Sequence, residues 1–124
     1  MTFRIRWSFD ATVSDDSSVS FARVLQVDAI DRIVKSLDAG ESVTAQVQPS
    51  AAADVRLLVI TATVYGADLT YRVGTSTQDI ALDAPHIFAG AGMIGRLPSA
   101  PNEFAFTNGL TAAATVTVLV GRTA

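Results

Sequence analysis

The chain of 124 residues has no cysteine, one histidine, one tryptophan and, in Lys35, one lysine. Without cysteine there are no disulfides, no thiolate nucleophile and no Cys-ligated zinc or iron–sulfur centre. Charge is also scarce. Charged residues make up 17% of the chain against a usual quarter, while hydrophobic residues reach 49%. So little charge leaves neutral or apolar surface uncovered on a lone monomer, which predicts burial between chains and hence a homo-oligomer. The net charge of −3 argues against a nucleic-acid binder, which needs a basic patch to displace counterions from phosphate. The longest apolar run, Leu57 to Ala67, falls well short of the roughly 18 residues of a membrane-spanning helix. The start, Met-Thr-Phe-Arg-Ile-Arg, lacks the apolar centre of a secretory signal. The expectation is a soluble protein made and assembled in the cytoplasm, with no membrane and no direct nucleic-acid partner.

What is present is β pattern. Phe3, Ile5, Trp7, Phe9, Ala11 and Val13 alternate with Arg4, Arg6, Ser8, Asp10 and Thr12, predicting a long strand with one buried and one wet face. Ser14 to Ser18 reads as a polar turn and Val19 to Val27 as a second strand. Between Asp28 and Ala39, Ile30, Ile33, Val34 and Leu37 fall at helical spacing, with Asp28 as cap and Gly40 as terminator. That favours one short helix, with a strand over Arg32 to Leu37 running into a turn at 38–41 as the alternative. Further strands are predicted over Val43–Val47, ended by Pro49 before a small-residue loop from Ser50 to Asp54, and over Arg56–Val64, apolar on both faces at first as for a central strand. A turn at 65–68 would join the latter to Leu69–Val73 as a hairpin. Short strands follow at Asp79–Leu82, Ile87–Phe88, Met93–Leu97, Glu103–Thr107 and Thr115–Val120. Eight to ten short strands at near-regular spacing describe a single all-β domain over residues 1–124, a β-sandwich of jelly-roll type.

Few residues offer chemistry. Gly90-Ala91-Gly92-Met93-Ile94-Gly95 has the form of a dinucleotide fingerprint, but Pro98 prevents a long following helix and Leu110 to Val116 lacks the expected acidic residue. It reads as a flexible connection whose glycines let another backbone approach. His86 with Asp83 could form a base pair of the hydrolase kind, but no thiol and no Gly-x-Ser-x-Gly elbow supplies a nucleophile. Asp15-Asp16 beside Asp10 lacks the ligand spacing of a calcium loop and reads as a solvated turn. Trp7, Tyr65 and Tyr71 could stack on sugars, but Trp7 and Tyr71 hold inward phases of their strands, which reads as core packing. No catalytic, cofactor-binding or metal site is expected, and a non-enzymatic protein is.

The segments Val43-Thr-Ala-Gln-Val-Gln-Pro49, Val55-Arg-Leu-Leu-Val-Ile-Thr61, Ile80-Ala-Leu-Asp-Ala-Pro85, Phe104-Ala-Phe-Thr-Asn108 and Val116-Thr-Val-Leu-Val-Gly-Arg122 span about two-thirds of the chain. In their order this half resembles small phage virion proteins, notably capsid decoration or cement proteins with a β-sandwich or jelly-roll fold. The resemblance implies an oligomer, a trimer first, bound to the major capsid protein and stabilising the head of a virion. It departs from that group in showing no positively charged or extended arm. Alternatives of other classes are a receptor- or carbohydrate-binding module of a tail or fibre, and a tail-tube or connector subunit.

Overall fold

The computed structural model describes residues 2–14, 17–47 and 54–123. Among these residues ten strands and one helical turn follow in order: β1 (Phe3–Thr12), β2 (Ser18–Val27), β3 (Ala29–Leu37), β4 (Ser42–Gln46), β5 (Val55–Ala62), β6 (Leu69–Val73), β7 (Ile80–Ala81), β8 (His86–Ala89), α1 (Ala91–Ile94), β9 (Glu103–Asn108) and β10 (Ala114–Arg122). The expected all-β sandwich is what forms. From β3 onward the pairing is nested and antiparallel: β3 with β10, β4 with β9, β5 with β8, β6 with β7. It is the pattern of one long hairpin rolled up on itself. Rolling also pairs β10 with β5 and β9 with β6, giving two sheets ordered β3-β10-β5-β8 and β4-β9-β6-β7, a jelly-roll order.

Period-two alternation fills the space between the sheets. Leu37, Val116, Val118, Val120, Leu58 and Ile60 enter from one sheet, and Ala45, Phe104, Phe106, Leu69, Tyr71 and Val73 from the other, all of them buried. Burial of each large side chain contributes about 2 kcal/mol. Asn108 is buried among them and fully used: its Nδ2 donates to the carbonyls of Leu37, Asp38 and Ala112, and its Oδ1 accepts from the Leu110 N–H. It ties the β3–β4 turn to the β9–β10 loop.

Several expectations need correction. The helix over 28–39 is instead strand β3, the alternative reading. Ile33 and Leu37 satisfy a period of two as well as one of four, Ile30, Ile33 and Val34 are β-branched, and β10 offers a ladder along the whole segment. Gly40 keeps the positive φ expected of it, +83°, but spends it at the third position of a β-turn closed by Glu41 N–H to Asp38 O at 3.0 Å. The hairpin expected of Arg56–Val64 with Leu69–Val73 does not form either. β5 and β6 lie in different sheets, so residues 63–68 arch between them. Met93–Leu97 is the end of α1 and a following turn, with Ile94 plugging the core. Ser50 to Ala53 and Pro49 lie outside the described residues, as do Asp15 and Asp16.

The largest departure is at the start. β1 and β2 form their own two-stranded sheet in full register from Phe3↔Val27 to Thr12↔Ser18, so the alternation read from the sequence is real. Its apolar face, however, is not in the sandwich core. This hairpin is an arm laid across the outer face of the β3-β10-β5-β8 sheet. At its base a Cβ on Gly121 would come within 2.8 Å of Ile5 Cδ1 and 3.3 Å of Val27 Cγ1, so glycine is what lets arm and sheet close. Val27 and Leu57 are buried there, outside the main core cluster, and Leu57 with Val59 makes β5 apolar on its outer face as well.

Candidate interaction surface

The arm progresses across the sheet. Ile5 lies over Gly121 of β10, Trp7 flanks Arg56, Ala89 and Gly90 where β5 meets β8, and Phe9 and Phe21 flank Pro85, Ile87 and Met93 at the β8 edge. β8 ends its sheet. Three further residues of β1, about 10 Å of strand measured along the arm, continue beyond Phe9 at that edge. On this face Val27 is buried at the base beside a 38% exposed Phe3, Phe9 and Phe21 are each 43% exposed, and Val13 and Val19 at the far end are 60% and 61% exposed. The aromatic rings brace one another, with Trp7 edge-on to Phe21 at 5.4 Å and Phe9 stacked on Phe21 at 5.6 Å between centroids.

Beneath the overhang is a groove of about 460 Å³ lined by Trp7, Phe9, Phe21, Pro85, Ile87, Ala89 and Met93. Its side chains carry no charge, and the Trp7 indole N–H is the only polar group among them. The backbone supplies the rest. Gly90 N–H donates to Arg56 O at 2.9 Å, which fixes the phase of the β5–β8 ladder: His86 and Phe88 direct N–H and C=O toward β5, while Ile87 and Ala89 direct theirs to the open edge. The far face of the arm carries Arg4 and Arg6, and Arg23 stands opposite Trp7. None of the three forms an ion pair among the described residues. An extended arm, which the sequence reading did not include, is thus present in β1–β2, with its three arginines in the half nearer its base.

The other candidates are placed apart. His86 does not meet a carboxylate. Its Nδ1 and the Tyr71 hydroxyl share a hydrogen bond of 2.7 Å, joining β8 of one sheet to β6 of the other. Burial raises the Tyr71 phenol above its ordinary range, which keeps it protonated, and burial lowers His86 against a weaker upward pull from Asp83. The pair is a latch between sheets beside a second groove of about 420 Å³ lined by Ile80, Pro85, His86, Phe88 and Leu97 among others. The glycine fingerprint builds a single four-residue turn leaving an antiparallel edge strand, with Gly90 at φ +87°. No parallel strand and no long helix accompany it. Among the described residues no group of three His, Asp or Glu could hold a metal ion, and no helix is long and apolar enough to cross a membrane. Tyr71 is in the core, Tyr65 is half-buried and accepts from the Ala62 N–H at 3.1 Å, and Trp7 is half-buried under the arm, so the three aromatics form no common platform. Sequence reasoning missed Phe9, Phe21, Ile87 and Met93 as a group. The alternation marked Phe9 on the apolar face of the first strand, but nothing local told that face from core or paired it with Phe21.

Comparison of the chain with family models, with curated proteins and with solved structures finds no match.

Proposed function

We propose that this chain is a non-enzymatic structural subunit of a virion, of the capsid decoration or cement kind, which works by packing as an oligomer on a head lattice. The observation that carries the reading is the β1–β2 arm: an aromatic face half covered by its own sheet and half left bare, on a domain with little charge. A monomer does not ordinarily keep Phe9, Phe21, Val13 and Val19 together in water. Fold alone supports no function. The resemblance of residues 43–122 to phage decoration proteins supplies the virion, and the arm supplies the contact. A tail-tube or connector subunit is the second reading, favoured by the arm's projection past a free sheet edge, which suits a repeating ring. The sugar-binding reading loses support, because the groove under the arm lacks the polar side chains that would hold hydroxyl groups.

Light scattering of the purified chain across a concentration series, followed by co-sedimentation with heads of a phage carrying the gene, tests this. Assembly into multimers that pellet with heads is expected. A chain that stays at 13.0 kDa and remains in the supernatant defeats the reading.

A further inference from the structure

We propose that the overhanging half of the arm docks on a second copy of this chain, lying over the outward face of its β3, while that β3 edge abuts the β8 edge of the first copy. The inference rests on the self-assembly reading above and specifies its interface.

Strand directions favour the junction. Successive antiparallel pairing across β3, β10, β5 and β8 leaves β8 running opposite to β3. A neighbour in the same orientation therefore presents its β3 antiparallel to β8, and the sheet continues across the boundary without inverting either molecule. Ile87 and Ala89 already aim their backbone groups at that position. The arm of the first copy, crossing β10, β5 and β8 in turn, next reaches the neighbour's β3 on the same face of the continued sheet.

What it meets there matches it. The outward side chains of β3 are Ile30, Arg32, Val34 and Ser36, of which Ile30 and Val34 are exposed apolar residues at the edge opposite to the one the arm overhangs. Charge does not oppose the contact: from Phe9 to Phe21 the apolar face of the arm carries no charged side chain among the described residues, and Arg32 is the one charge on the outward face of β3. The contact also continues an interface the chain already makes, since the near half of the same arm covers the same sheet's outer face through Ile5 and Val27. Because donor and acceptor surfaces differ, the contact is head-to-tail and repeats, closing into a ring of three or more or running on as a filament.

Two surface variants test it, Phe9→Ser/Phe21→Ser on the arm and Arg32→Glu/Val34→Glu on the acceptor, with thermal melts confirming that each folds. Sedimentation should find each variant alone at the 13.0 kDa of one chain. An equal mixture should form a species of twice that mass and nothing larger, because one intact arm meets one intact β3 and both remaining ends are dead. A mixture that stays monomeric, an acceptor variant that assembles like the wild type, or a wild type that stops at a dimer overturns the docking. If both variants assemble as the wild type does, the docking fails and self-assembly stands. A wild type that is monomeric at every concentration removes self-assembly itself.

Discussion

Replacing Tyr71 by phenylalanine tests the latch that joins the two sheets at the groove. The ring stays packed against Phe104 and Phe106, so only the hydroxyl and its 2.7 Å bond to His86 are lost. A typical buried hydrogen bond contributes about 1 kcal/mol net, and the part-exposed His86 can recover water, which holds the loss near that figure rather than above it. With about 2.1 cal/mol/K of unfolding entropy per residue, 1 kcal/mol lowers the midpoint of a chain this size by about 4 °C. Thermal unfolding by circular dichroism at pH 7.5 reads it, and an unchanged or raised midpoint refutes a stabilising latch. The pH dependence has a definite sign. Burial lowers the His86 pKa in the folded chain, so the unfolded state takes up the proton first as pH falls below its ordinary value near 6.5. The stability tied to neutral His86 is whole above that value and is lost as pH drops toward the folded pKa. His86→Gln should flatten this part of the profile, and profiles that stay parallel from pH 7.5 to 5 contradict it.

Asn108→Ala removes donors to three carbonyls and an acceptor for Leu110 N–H in a buried position, and should cost about 3 kcal/mol in denaturant unfolding. Gly74 has φ +56°, and a Cβ there would lie 2.4 Å from Ser99 Oγ and 2.7 Å from Ala100 O, so Gly74→Ala should destabilise by about 2 kcal/mol in the same assay. Phe9→Ser/Phe21→Ser should cost about 2 kcal/mol in the same assay, because each ring is 43% exposed and keeps over half of its surface out of water, part of it against the other ring.

Most strands were legible because alternation in segments such as Thr115–Val120 and Leu69–Val73 reflects which face meets the core. What alternation does not carry is the identity of the surface that covers an apolar face. Phe3 to Ala11 alternates as cleanly as any core strand, yet it lies on the outside of the sheet, where the described residues leave much of its far half exposed. The same gap explains the β5–β6 misreading: a turn at 65–68 joins strands equally well within a sheet or between two. The helix expected at 28–39 failed for a different reason, since spacings of four serve either period and only the ladder to β10 decides. The candidate surface was half visible, in the aromatic face of β1. Its other half, Ile87 and Met93, comes from sequence positions far away and joins the arm only through the fold.

Trp7, the one tryptophan, stands in the groove under the arm and reports on that face directly. Acrylamide quenching of its fluorescence, measured from dilute to concentrated protein alongside the particle mass, tests whether the arm is the interface. Quenching that weakens in step with assembly, and stays unchanged in the Phe9→Ser/Phe21→Ser variant, is the predicted result. Assembly that proceeds with Trp7 as accessible as in the monomer contradicts it.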